Sequence, residues 1–340
     1  MKTAPTMLAS LRAVAAGMRK GRDDGTAPER TDRDVPSSVL VTGLLAVVLV
    51  LALVPGIFGG DLPLGGRLVA ALGVALFGFL FVPVSSRLVG VIGVSSNPTS
   101  AMALITLAGT ASVFAAFGWK GLAAQAAVLT VGTVVCVAAS KAGDISQDLK
   151  TGWLVQGTPA LQQFGQLIAA GVACWVVAAV VITMGKTYGF GDGGLAAPQA
   201  KLMQTMVEAV LGASLPWDLL AMGALTSSTG ILVGLPALPF ALGIYLPLST
   251  LAAVFVGGCV RRYCERRGPG TFDSQNGILC ASGFVAGEGL AGVLIAAWAY
   301  ATDAGREAQP TPTTTASWLA IVAFTPALVL LARATRPLSK

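Results

Sequence analysis

Nine runs of mostly apolar residues alternate with short polar segments along residues 38–340. Each run approaches the roughly 20 residues that an α-helix needs to cross a bilayer. The runs cover 38–58, 68–92, 101–118, 122–139, 164–184, 216–235, 237–260, 277–300 and 317–333. This pattern predicts an all-α polytopic membrane protein whose transmembrane domain covers residues 38–340.

Glycine and proline interrupt several of these runs, as in VSSNPTS at 94–100 and LPALPFALGIYLPLS at 235–249. A broken helix inside lipid is tolerated only where it is buried in protein or lines a cavity. The breaks therefore favour a transporter or a channel over a simple membrane anchor.

Residues 1–37 form a polar leader with seven Lys/Arg and five Asp/Glu. Apolar positions between residues 7 and 18 fall on one helical face beside Arg12 and Arg19, which predicts an amphipathic helix lying on the membrane surface. A solvated leader without such a helix is an equally open interpretation.

Lys and Arg in short loops orient a membrane protein, because they stay on the cytoplasmic side. They concentrate in the leader, in 140–163, in 261–276 and at the C-terminus, so both termini are expected in the cytoplasm. An even number of crossings must separate the leader from 261–276, but seven runs lie between them. Either one run is re-entrant or the segment 198–214 also crosses the membrane. We favour about eight transmembrane helices plus one re-entrant element, with 216–235 and the Asn97-Pro98 region as the candidates for that element.

Composition removes several classes of function. Charged residues make up 11% of the chain, against about 25% in soluble domains, which argues against a soluble enzyme or a nucleic-acid-binding protein. Histidine is absent, and the five cysteines form no CxxC pair. We therefore predict buried free thiols, no metal site, no cofactor and no enzymatic activity.

Glu288 is the twelfth of the 24 residues in the run 277–300, so it is expected near the middle of the membrane. A charged side chain there costs at least about 2.5 kcal/mol. It must face a helix bundle or a wet cavity, or be protonated. Two interpretations stay open: a carboxylate that couples protons or contacts substrate, and a structural carboxylate bonded to a neighbouring helix.

Four further residues are candidates for a substrate path. Asn97 precedes a predicted helix N-terminus, which attracts anions if it lies at the membrane midplane. Gly243 and Tyr245 lie in a stretch that is expected to unwind a span. Asp218 begins the run 216–235, where the helix dipole favours a carboxylate. For each of them a purely structural role is the alternative.

The segment SKAGDISQDLKTGWLVQGTPALQQ, residues 140–163, is rich in polar residues for a connection between spans. We predict a cytoplasmic loop in which Asp144, Asp148 and Lys150 pair with each other or with the basic loop at 261–267. A solvated loop is the alternative.

Four segments in order resemble the oligopeptide transporter (OPT) family. They are the 140–163 segment, APQAKLMQTMVEAVLGASLPW, LPALPFALGIYLPLST followed by GGCVRR, and ASGFVAGEGLAGVLIA. In that family such motifs belong to the C-terminal half of a chain about twice as long. The resemblance implies one half of a transporter, either a fragment or a subunit that acts with a separate N-terminal half or a second copy.

The resemblance implies secondary active, proton-coupled transport of oligopeptides or peptide-like metal chelates across the cell membrane. The expected partners are the lipid bilayer, the peptide or chelate substrate and protons. Three alternatives stay open: a membrane subunit or fragment that transports nothing without its partner half, a channel, and an intramembrane protease.

Overall fold

The computed structural model describes residues 29–59, 61–92, 97–191, 195, 197–212, 217–236, 240, 243–244, 248–266, 274–302 and 314–335. The predicted interfacial helix of the leader and Tyr245 lie outside these residues. Within them the secondary structure is helical, and the β-type pairing is a single isolated bridge between Phe190 and Leu195. The predicted all-α class is confirmed.

Ten α-helices follow a short 3-10 turn at Arg30–Asp32 in the described part of the chain. They are α1 (Ser37–Leu53), α2 (Leu64–Ile92), α3 (Thr99–Ala116), α4 (Leu122–Leu154), α5 (Pro159–Tyr188), α6 (Pro198–Leu211), α7 (Trp217–Leu232), α8 (Leu248–Glu265), α9 (Ser274–Ala301) and α10 (Thr314–Ala334).

Five helices of the described residues are long and apolar enough to cross a membrane: α2, α3, α4, α5 and α9. The apolar residues of α1 and of the second half of α10 form shorter helical stretches. The chain is thus a polytopic membrane protein. Eight spans and one re-entrant element remain a prediction.

The segment 140–163 differs from the predicted loop. Helix α4 continues without interruption to Leu154, and α5 begins at Pro159, so only residues 155–158 form the turn. The helix continues because residues 140–154 contain no proline, and α4 ends before Pro159, a residue type that helices rarely extend into. The polar side chains of this segment therefore project from two helices.

The chain divides into two compact units, and the first comprises Met1–Cys174 and Gln199–Trp217. Helices α2, α3 and α4 pack together there. The fully buried side chains include Phe58, Leu107, Phe114 and Val128. Lipid is as apolar as these side chains, so close van der Waals packing rather than water exclusion holds such a bundle.

The second unit comprises Trp175–Pro198 and Asp218–Lys340. In it, α10 contacts both α8 and α9. Ala296 and Ala299 of α9 are buried, whereas the middle of α9 is exposed.

The prediction of buried cysteines is wrong for Cys174 and Cys259, which are exposed free thiols.

Candidate functional site

Asn97 lies just before α3, where α3 meets α2 and α4. Its Oδ1 atom is 2.9 Å from the Ser85 hydroxyl of α2, and its Nδ2 atom donates to the Ala139 carbonyl of α4 at 3.5 Å. Asn97 therefore connects the entrance of α3 to both neighbouring helices. We call Ser85, Asn97 and Ala139 the α3-entrance cluster.

Ser85 is the buried centre of this cluster, with 0% of its surface exposed. Its hydroxyl lies within hydrogen-bond reach of both Asn97 Oδ1 and the Ala139 carbonyl. A hydroxyl carries one proton, so it donates to only one of these two oxygens at a time. The cluster is thus a small exchangeable hydrogen-bond network inside an apolar bundle.

Gly143 allows α4 to approach this cluster. A Cβ atom at Gly143 would lie 2.8 Å from Val89 Cγ2 and 2.9 Å from Asn97 Nδ2. The same two helices, α2 and α4, are joined by Ser86 Oγ and Ser146 Oγ, which are 2.5 Å apart. The absence of a side chain at Gly143 therefore lets small polar groups of α2 and α4 meet.

No side chain of the described residues caps the first-turn amide groups of α3. Pro98 occupies the N-cap position and makes no side-chain cap hydrogen bond. A helix N-terminus carries partial positive charge, which favours a negatively charged group nearby. The entrance of α3 thus combines a backbone end suited to an anion with the Asn97 amide.

Asp148, near the end of α4, bonds α4 to the start of α5 across the turn between them. The Gln162 Nε2 atom donates to the Asp148 carbonyl at 2.7 Å, and Gln166 Nε2 donates to its carboxylate at 2.9 Å. A Cβ at Gly152 would overlap the Gln162 amide, so the Gln162 side chain would have to move from its present position.

The other two polar residues predicted for this network also lie on α4. The Lys150 ammonium is 4.1 Å from the centroid of the Trp153 ring, a cation–π contact. Asp144 lies one helical turn before Asp148 and is partly exposed. The structure thus gives Asp148 two glutamine partners on α5, and Lys150 an aromatic one.

Residues 30–35, which we call the strap, cross the turn between α4 and α5. Four hydrogen bonds hold the strap: Arg30 Nη1 to Thr158 Oγ1 (3.2 Å), Ala160 N to the Arg33 carbonyl (2.9 Å), Val35 N to Gln163 Oε1 (3.1 Å) and Gln163 Nε2 to Asp34 Oδ1 (3.1 Å). An open cavity of about 590 Å³ at this turn is lined by Asp148, Thr151, Thr158 and Gln162, among others. The end of the leader is therefore fixed to the α4–α5 turn.

Glu288 is the fifteenth residue of the 28-residue helix α9 and is exposed. Gly283 and Gly287 lie close to it in the sequence of α9. A Cβ at Gly283 or Gly287 would meet no described atom within 4 Å. Within the described residues, Glu288 and the neighbouring Gly283 and Gly287 are therefore not covered by another helix.

Two further predicted site residues, Asp218 and Gly243, are not members of the α3-entrance cluster. Asp218 is exposed in the first turn of α7, and Gly243 is exposed in a short described helical fragment. Both belong to the second unit with Glu288, whereas Asn97 belongs to the first.

Ser85, Ser86 and Ser146 are site residues that the sequence reasoning missed. Their signal was present: Ser85 and Ser86 are adjacent polar residues inside a long apolar run. Polar side chains in a span are expected to bond across helices. Gln163 was likewise visible only as part of a polar segment, because its partners lie about 130 residues away.

Comparison with known proteins gives two matches. The family model described as "OPT oligopeptide transporter protein" matches residues 1–299. A protein of Haemophilus influenzae named "Putative oligopeptide transporter" is 26% identical over an alignment 366 residues long, gaps included. The alignment covers 93% of this chain and 58% of that protein. The chain thus spans less than two thirds of the length of this curated relative. No solved structure matches the chain.

Proposed function

Because the chain belongs to the OPT oligopeptide transporter family, we propose that it forms part of a secondary transporter that moves short peptides across the cell membrane. Peptide-like metal chelates are the second substrate class, since they present the same carboxylate and amide groups. Proton uptake drives the cycle, and the leader and C-terminus lie in the cytoplasm.

The α3-entrance cluster is the observation that carries this proposal. A helix N-terminus that no described side chain caps lies beside the Asn97 amide, at a break between two apolar helices. Transporters bind anionic substrate groups at such half-helix ends. A peptide carboxylate would contact the first-turn amides of α3, and Asn97 would bond an adjacent peptide group.

Glu288 supplies the proton-coupling group in this proposal. Its position in the middle of an apolar helix is costly for a carboxylate that faces lipid, so the side chain needs a polar neighbour or a proton. Binding and release of that proton would accompany alternating access. Gly243, Tyr245 and Asp218 would line the path in the second unit, around the broken span.

A complementary half completes the pathway. The open face of α9 around Glu288 supports this step, because no described atom covers Gly283 or Gly287 beside it. The longer relative contains additional sequence from which such a half could come. The half would lie on the same polypeptide or on a separate one.

Uptake of trialanine into proteoliposomes tests the proposal. The chain is reconstituted alone and with the remaining portion of an OPT transporter, with and without an inward proton gradient. We expect uptake only with both parts and the gradient, and its loss when a protonophore is added. Uptake that ignores the protonophore would indicate a channel, and co-purification of both parts without uptake would indicate a non-transporting subunit.

Glu288→Gln sharpens this test, with Glu208→Gln as a matched control. Glu208 is an exposed glutamate of α6 that accepts a hydrogen bond from Gln204 at 2.8 Å. We expect Glu288→Gln to abolish gradient-driven uptake in a well-folded protein, and Glu208→Gln to leave uptake near that of the wild type. Unchanged uptake by Glu288→Gln would remove its coupling role.

A further inference from the structure

One face of α8 changes from apolar to basic toward its C-terminal end. An open groove of about 430 Å³ follows this face and is lined by Phe255, Gly258, Cys259, Arg262, Tyr263 and Arg266. These residues recur at spacings of three and four, which places them in one stripe of the helix. We call this stripe the basic groove.

Arg262 and Arg266 give the groove a concentrated positive charge. They are four residues apart, so their side chains are neighbours that repel each other on the helix surface. Neither has a side-chain partner among the described residues, whereas the adjacent Arg261 binds Glu265 at 2.9 Å. An anion bound between Arg262 and Arg266 would relieve this repulsion.

The apolar part of the groove extends the basic part along the helix. Phe255 is exposed and precedes Arg262 by seven residues, a rise of about 10 Å along an α-helix. Gly258 lies between them, and a Cβ there would meet no described atom within 4 Å. A ligand for this stripe therefore has an anionic end and an apolar end about 10 Å away.

We propose that the basic groove binds one anionic phospholipid. Its phosphate contacts the guanidinium groups of Arg262 and Arg266, and an acyl chain lies over Gly258 and against Phe255. Tyr263 adds an aromatic side chain of the type enriched where lipid headgroups meet hydrocarbon. Free inorganic phosphate would satisfy the arginines but leave the apolar half of the stripe without a partner.

Native mass spectrometry of the full chain in mild detergent tests this assignment. We expect bound phosphatidylglycerol to survive on the wild type in preference to phosphatidylcholine. The variant Arg262→Gln/Arg266→Gln should bind phosphatidylglycerol roughly 30-fold more weakly, because each arginine contributes to the attraction of anionic lipid. Arg262→Lys/Arg266→Lys should retain most of the binding, which separates loss of charge from loss of folding.

Two single substitutions are matched controls. Arg261→Gln removes an adjacent charge that is already paired, and Lys120→Gln removes an exposed charge from the turn before α4. Both should bind phosphatidylglycerol like the wild type. A dominant loss in Arg261→Gln would instead place the lipid in the separate groove of about 240 Å³ between α8, α9 and α10.

Three outcomes would overturn the proposal: equal binding of the two lipids, unchanged binding by the double glutamine variant, and full displacement of the lipid by inorganic phosphate.

The exposed thiol of Cys259 within the groove provides an independent readout. Phosphatidylglycerol should slow its reaction with a maleimide in wild type but not in Arg262→Gln/Arg266→Gln. Cross-linking of two chains through Cys259 would assign this face to a second copy.

Discussion

Helices α4 and α9 are both apolar enough to cross a membrane, but only α4 is packed into a core. In the most apolar 18-residue stretch of each helix, 39% of the residues of α4 and 0% of those of α9 are buried within the structure. Small residues of α4, such as Ala127 and Gly132, face neighbouring helices. The described part of α9 contacts α10, where Gly277 lies beside Thr335.

This difference shows that apolarity and packing are separate properties of a membrane helix. Apolarity records whether a segment is compatible with hydrocarbon. Association between helices in lipid depends on shape and on a few polar contacts. Two helices of similar composition can therefore have opposite roles, one holding a bundle together and the other exposing a face to lipid or to another polypeptide.

The largest contrast is expected from matched phenylalanine truncations. Phe114→Ala removes a ring that is 0% exposed and packs edge-on against Trp119, with ring centroids 5.2 Å apart. The truncation leaves a cavity into which the surrounding side chains relax only partly, so we expect a loss of roughly 3 kcal/mol in the free energy of unfolding. Phe284→Ala in α9, where the ring is 42% exposed, should cost less than about 1 kcal/mol.

The free energy of unfolding of both variants is measured by SDS denaturation in detergent, with circular dichroism as the signal. The comparison fails if the two truncations cost the same, because α9 would then be as tightly packed as the α2–α4 bundle. Binding of the complementary half should raise the cost of Phe284→Ala only if that half covers its ring.

Matched glycine substitutions should separate the two helices by a smaller amount. Gly143→Ala places a methyl group 2.8 Å from Val89 Cγ2, on a branched side chain that has little freedom to move. We expect a loss of about 1–3 kcal/mol in the same assay. Gly287→Ala enters open space in α9 and should be neutral or stabilise the helix by up to about 1 kcal/mol.

The all-α class could be predicted because long apolar runs are a local property of the sequence. The family could be predicted because four motifs occur in a fixed order along the chain. The prediction of a loop from residue 140 is wrong, because polar residues do not by themselves end a helix. Nothing local stops α4 before Leu154. The Ser85–Ala139 and Gln163–Val35 contacts were beyond sequence reasoning, since they depend on which helices become neighbours.

Serine substitutions test whether the polar contacts of the first unit also matter. Ser85→Ala removes the hydroxyl shared by Asn97 and the Ala139 carbonyl. We expect a loss of about 1 kcal/mol, because hydrogen bonds between membrane helices contribute modestly. Ser282→Ala should change stability by less than about 0.5 kcal/mol, because among the described residues its hydroxyl bonds to the Ile278 carbonyl one turn earlier in α9 and to no other helix. Equal losses of stability would mean that the hydrogen bonds of the α3-entrance cluster stabilise the protein no more than a hydrogen bond within one helix does.

The strap should give the smallest effect and the most local one. Gln163→Ala removes an amide that bonds both Val35 and Asp34. These bonds are at least partly exposed to solvent, so we expect a loss of about 0.5–1 kcal/mol in global stability. Amide hydrogen exchange should rise in residues 29–36 and stay unchanged in α2–α4, whereas the control Gln204→Ala in α6 should alter neither region. Faster exchange throughout α4 would instead mean that the strap helps to hold the bundle, so that packing in the first unit depends on polar contacts beyond its apolar core.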